Sequence, residues 1–125
     1  MAKVLLIDDE PNVLNYLRRV TEKQGHSVVT ASCSSEALAA MADASVDIIV
    51  SDVYLSNNYD GGSWLEAVKE KAGGRPFVFI TGYPDQELVA ASEKLGATAL
   101  LSKPFELSFL KELLAKLSAE SCDDK

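Results

Sequence analysis

Three short runs of this chain are apolar from end to end: Val4-Leu5-Leu6-Ile7, Ile48-Ile49-Val50 and Phe77-Val78-Phe79-Ile80. A strand with one face in water alternates apolar and polar residues, so a strand without alternation needs cover on both faces. Between the runs the apolar residues recur at helical spacing instead. Strands alternating with helices in this way fold as a parallel sheet with helices on both sides. Two weaker runs, Ser27–Thr30 and Thr98–Leu101, bring the number of alternations to five. The fold class predicted is α/β: a doubly wound five-stranded parallel sheet with five helices, in a single domain.

The elements follow from local signals. Lys3–Asp8 reads as the first strand, and Pro11 fits the first turn of a helix whose apolar face is Val13, Leu14, Leu17 and Val20. Gly25 ends that helix and Ser27–Thr30 forms the second strand. Ser34 or Ser35 is expected to cap a helix carrying Ala37, Leu38 and Met41. Val46–Ser51 is the third strand, 54–62 a polar loop, and Ser63 the cap of a helix with Trp64, Leu65 and Val68, ending at Gly73-Gly74. Pro76–Thr81 is the fourth strand. Pro84 opens a helix with Leu88, Ala91, Ser92 and Leu95 on one face, closed by Gly96. Thr98–Leu101 is the fifth strand, and Leu107, Leu110, Leu113, Leu114 and Leu117 mark the last helix. The domain is expected to span residues 1–118, with 119–125 a frayed polar tail.

Composition excludes some classes of function. The net charge is −7 and the basic residues are scattered, with only Arg18-Arg19 adjacent. Nucleic-acid binding relies on a basic stripe that displaces counterions from phosphates, and anionic membranes select for the same feature. Neither direct nucleic-acid binding nor membrane association is expected. No stretch approaches the ~20 apolar residues of a membrane span. The first residues lack a basic region and an apolar core, so no secretory leader is expected and the cytoplasm is the predicted location. Two cysteines, Cys33 and Cys122, are read as free thiols.

In open parallel sheets, ligands bind beyond the carboxyl ends of the strands. Asp8 and Asp9 follow the first run, Asp52 the second, Thr81 the third, and Lys103 follows Leu100-Leu101. Three carboxylates gathered there repel one another and call for a counter-charge that one lysine cannot fully supply. A hard divalent cation suits them: Mg²⁺ is held by one or two carboxylates and shares its remaining positions with water and phosphate oxygens. No Cys/His set suggests zinc. No GxxxxGK[ST] loop is present to cradle a nucleotide. Metal, lysine and hydroxyl together make a clamp for a phosphoryl group, and a carboxylate can accept it as an acyl phosphate. Asp52 is the natural nucleophile, because Asp8 and Asp9 are adjacent and better placed as metal ligands.

The segments VLLIDDEP at 4–11, IIVSDVYL at 48–55, FITGYPD at 79–85 and GATALLSKPF at 96–105, in this order, resemble the receiver (response-regulator, CheY-like) domains of two-component signalling. The resemblance covers about residues 2–118. It implies that Asp52 is the phosphoacceptor, that Asp9 binds Mg²⁺ directly and Asp8 mainly through water, and that the backbone carbonyl of Tyr54 is a further ligand. It implies that Thr81 and Lys103 bond phosphoryl oxygens and that the Lys103-Pro104 peptide is cis. The implied partners are a histidine kinase or phosphotransfer protein and a downstream effector protein or domain, the chain itself being a monomer or weak dimer. Apart from assisting its own phosphorylation and dephosphorylation, such a domain is not an enzyme.

Three departures stand out. The family usually carries Tyr or Phe three residues before the lysine, as part of a switch with the threonine; here that residue is Leu100, which implies a weak or altered switch. The loop after Asp52 has Ser56 where proline is common, and reaches Asp60-Gly61 one residue late. Tyr54 and Tyr83 occupy positions that in the family border the path of the hydrolytic water, so their rings imply a longer-lived acyl phosphate. Leu100 also motivates the alternative of a degenerate receiver acting as a constitutive docking or dimerisation domain. A haloacid-dehalogenase-type phosphatase needs a second aspartate where Tyr54 stands. Flavodoxin-like FMN binding needs a phosphate loop where the chain has Asp-Asp-Glu-Pro.

Overall fold

The computed structural model describes residues 2–53, 61–82, 86–102 and 107–123. Five strands alternate with five helices along the chain: β1 (Lys3–Ile7), α1 (Pro11–Lys23), β2 (Ser27–Ala31), α2 (Ser34–Met41), β3 (Ile48–Asp52), α3 (Gly61–Ala72), β4 (Phe77–Thr81), α4 (Gln86–Lys94), β5 (Ala99–Ser102) and α5 (Leu107–Asp123). All strand pairings are parallel, and the sheet order is β2-β1-β3-β4-β5. The expected α/β architecture is the one observed.

Two separate apolar layers explain the unbroken runs. On one side, Leu5, Ile7, Ile49 and Phe79 pack with α2, α3 and α4 through residues such as Met41 and Trp64. On the other, Val4, Leu6, Val50 and Val78 pack with α1 and α5 through Leu14, Leu17, Leu110 and Leu114. Successive residues of a strand point to opposite faces, so each run feeds both layers. Fully burying one such side chain contributes roughly 1.5–3 kcal/mol. No helix among the described residues is long and apolar enough to cross a membrane.

Most boundaries differ from the sequence reading by one or two residues. β1 stops at Ile7, leaving Asp8 beyond the strand, although its N–H still donates to Ala31 of β2 at 3.2 Å. β3 begins at Ile48 rather than Val46 because Val46 donates to Asp43 in the preceding turn. β4 begins after Pro76 and β5 after Thr98. Neither expected serine caps α2: Cys33 holds that position with no side-chain cap bond, and Ser34 and Ser35 are already helical. Glu36 reaches back instead, accepting from the N–H and hydroxyl of Ser32 at 2.8 and 3.0 Å. Those bonds hold its carboxyl below the ordinary value. α3 starts at Gly61, ahead of Ser63. α5 carries helical backbone to Asp123, across the boundary expected at residue 118. Pro84, and with it the expected opening of α4, lies outside the described residues. Gly25 and Gly96 follow α1 and α4 with φ of 95° and 84°, a region that residues with a Cβ rarely adopt.

At the end of the sheet where the strands begin, one side chain ties four segments together. Arg75 donates to the carbonyls of Met41 at 2.6 Å, Lys71 and Ala72 at 2.8 Å, Asp43 at 3.0 Å and Val46 at 3.1 Å. Met41, Lys71 and Ala72 end α2 and α3, where unpaired carbonyls accumulate. Only a guanidinium offers enough donors in a fixed fork to serve them all. Arg75→Lys is therefore expected to lower unfolding stability by about 2 kcal/mol, read as a reduced denaturant midpoint. Divalent-cation affinity at the opposite end of the sheet should not change.

Candidate functional site

The strand order places β1 and β3 side by side, although β2 lies between them in sequence. The chain winds one way from β1 to β2 and the other way from β3 to β5, so the crevice where the order reverses opens between the ends of β1 and β3. Ile7 pairs with Ser51, and the next residues on the two strands are Asp8 and Asp52. Each of Asp8, Asp9 and Asp52 offers a carboxylate oxygen, and all three oxygens lie within 4.8 Å of one another. Asp8 and Asp52 are 2% and 7% exposed, so solvent screens them poorly. One oxygen of Asp8 accepts the backbone N–H of Glu10 at 2.9 Å, which orients the carboxylate as the chain turns into α1. Glu10 itself takes the position before α1 and makes no side-chain cap bond.

This donor set is oxygen only, with neither imidazole nor thiolate in the cluster. Hard cations such as Mg²⁺ prefer such ligands, and three carboxylates at this separation supply the negative potential to hold one. The residues present fit that ion. Asp8 and Asp9, just beyond β1, and Asp52, at the end of β3, are brought together as expected.

Thr81 ends β4 and is fully buried. Ile80 pairs with Asp52 across the β3–β4 ladder, so Thr81 stands one step beyond the aspartate. Leu100 lies in β5 opposite Phe79, half-buried against the α3 side of the core. It also lines a cavity of about 290 Å³ between α4 and β5, together with Val89, Ser92, Thr98 and Ser102. Tyr54, Tyr83, Lys103 and the Lys103-Pro104 peptide lie outside the described residues, as do residues 54–60 of the β3–α3 loop.

One pair of residues was not singled out from the sequence. The indole N–H of Trp64 in α3 donates to the hydroxyl of Ser51 at 2.7 Å, and that hydroxyl donates to the carbonyl of Asp52 at 2.8 Å. Both side chains are fully buried. The available signal was Ser51 itself, a polar residue where the surrounding strand pattern is apolar.

Comparison with known proteins agrees with this geometry. Residues 4–115 match the family described as the response regulator receiver domain. The two-component response regulator PprB of Pseudomonas aeruginosa is 35% identical over 105 residues, covering 81% of this chain and 38% of that protein. The nitrogen assimilation regulatory protein NtrX of Azorhizobium caulinodans is 32% identical over 103 residues, covering 82% and 23%. The chain thus spans less than half the length of these curated relatives. Among solved structures, the chemotaxis protein CheY4 of Vibrio cholerae is similar with a TM-score of 0.81 at 30% identity, over 94% of this chain and 98% of that one. A response regulator protein of Burkholderia pseudomallei, solved with a phosphorylated aspartic acid, calcium ion and citrate, gives 0.80 at 26% identity, over 99% and 73%.

The crowding of three carboxylates is expected to carry a measurable cost. Without a cation, removing one negative charge relieves repulsion between partly desolvated groups. Asp9→Asn is expected to raise the unfolding stability of the metal-free protein by about 1 kcal/mol. Adding Mg²⁺ should then stabilise the wild type more than the variant, and paired thermal melts with and without the ion read both effects.

Proposed function

Because the chain belongs to the response regulator receiver domain family, we propose that Asp52 accepts a phosphoryl group from a histidine kinase or phosphotransfer protein. A downstream effector protein or domain then reads the resulting state. The observation that carries this reading is the meeting of Asp8, Asp9 and Asp52 within 4.8 Å at the crevice where strand order reverses. The phosphorylated aspartic acid and calcium ion in the related Burkholderia pseudomallei structure support it.

In the transfer, a carboxylate oxygen of Asp52 attacks phosphorus. A new O–P bond forms as the bond from phosphorus to the donor breaks, to an imidazole nitrogen for a phosphohistidine or to oxygen for acetyl phosphate. The leaving group departs with the bonding electron pair, and the product is an acyl phosphate. Asp8, Asp9, Asp52 and the Tyr54 backbone carbonyl would hold Mg²⁺, which when bound supplies positive charge against the oxygens of the transferring group. Thr81 donates a hydrogen bond to one phosphoryl oxygen and Lys103 pairs with another. The protein aids its own phosphorylation and dephosphorylation and turns over no external metabolite.

The output is the unusual part. Leu100 has no hydroxyl, and it is one of the residues lining a cavity of about 290 Å³ beside α4. An aromatic ring moving inward as Thr81 engages the phosphoryl group is therefore replaced by a smaller repacking of leucine. We read the domain as retaining phosphoryl chemistry with an altered switch.

Two measurements test this account. Incubation with acetyl phosphate and Mg²⁺ should give a single phosphoryl adduct by intact mass, absent in Asp52→Asn; an adduct that persists in that variant misplaces the acceptor. Beryllofluoride with Mg²⁺ should produce small backbone chemical-shift changes across residues 82–105 in the wild type and larger ones in Leu100→Tyr. Equally large changes in both proteins would show that leucine transmits the signal fully.

A further inference from the structure

Ser51 interrupts an otherwise apolar layer. It shares one face of β3 with Ile49, which together with Val53, just beyond the strand, belongs to the core beneath α2, α3 and α4. Its neighbours across the sheet are Ile7 of β1 and Phe79 of β4. A hydroxyl buried in such a place is unfavourable unless its hydrogen bonds are made, and the same holds for a buried indole N–H. Packing alone would be met by alanine or valine at 51 and phenylalanine at 64, with no polar group to satisfy.

The polar choice has a definite geometric result. Trp64 donates to Ser51, and Ser51 donates to the carbonyl of Asp52. The N–H on the other side of that same peptide, from Val53, donates to the carbonyl of Ile80 at 3.0 Å. The peptide joining Asp52 to Val53 is thus gripped at both polar ends, from α3 through the hydroxyl and from β4 immediately before Thr81. Ser51 and Trp64 also lie on either side of residues 54–60, so their bond fixes the separation of the points where that segment leaves β3 and enters α3.

We propose that Ser51 and Trp64 are positioning residues for Asp52, acting as a relay from α3 that fixes the peptide following the phosphoacceptor and thereby the carboxylate that attacks phosphorus. The proposal rests on the assignment of Asp52 as acceptor. Neither residue touches the transferring group. Their effect comes through orientation, to which in-line transfer is sensitive at the scale of an ångström.

The test is a double-mutant cycle on the full chain with Ser51→Ala, Trp64→Phe and the double variant. Phosphoryl uptake from acetyl phosphate is followed by intact mass at saturating Mg²⁺, with rates normalised to the folded fraction. Ser51→Ala should lower the maximal rate about tenfold, the scale of one or two lost hydrogen bonds, while the half-saturating acetyl phosphate concentration stays unchanged. Trp64→Phe retains the bond from Ser51 to Asp52 and should cost roughly threefold. The double variant should be no slower than Ser51→Ala alone, because the indole acts through the hydroxyl. Lower denaturant midpoints with wild-type rates per folded molecule would overturn the proposal, as would multiplying effects in the double variant. Should Ser51→Ala fail to fold, Trp64→Phe alone decides: a wild-type rate overturns the proposal and a slowed one supports it. If the wild type forms no adduct, the acceptor assignment falls and takes this proposal with it. An adduct forming at the same rate in every folded variant removes only the positioning role.

Discussion

The pairing of Ile7 with Ser51 decides where the charge at this end of the molecule goes. Two adjacent parallel strands in that register end level, so the residues that follow, Asp8 and Asp52, emerge side by side. A shift by one residue would reverse which side chains face each helix layer. The runs are apolar on both faces, so it is the specific packing of each layer, with Trp64 on Ser51 in one and Leu110 and Leu114 in the other, that resists such a shift. Burial thus holds in place an arrangement of carboxylates that their mutual repulsion alone would disperse.

The same constraint separates two kinds of work along the sheet. Where the strands begin, Arg75 satisfies terminal carbonyls of two helices and two carbonyls of the segment joining α2 to β3. Where the strands end, the carboxylates of Asp8, Asp9 and Asp52 meet within 4.8 Å of one another. A guanidinium ties one end together, and like charges gather at the other. The tie at the strand starts is independent of the acidic end, where a bound cation would offset the crowding of the three carboxylates.

Legibility from sequence followed the range of the forces involved. The runs at Val4, Ile48 and Phe77 announce buried strands because burial on both faces acts on every residue in them. The acidic cluster was readable because it needed only the parallel topology and the positions where the runs stop. Helix starts were harder. Ser34, Ser35 and Ser63 are good capping residues by type, yet α2 begins after Cys33 and α3 at Gly61. Capping is a contest among near-equal local options, settled by how the connecting segment meets the sheet. The contacts of Arg75 and the Trp64–Ser51 bond could not be read, because each joins residues brought together only once the strand register is set.

Trp64 is the chain's single tryptophan, and it sits wholly out of solvent with its N–H committed to the residue next to Asp52. Indole emission depends on the polarity and hydrogen bonding around the ring. All of this chain's tryptophan emission therefore originates at one place, one hydroxyl away from the carbonyl of Asp52. The fold carries a built-in optical gauge of its own reactive end, and no dye need be attached to use it.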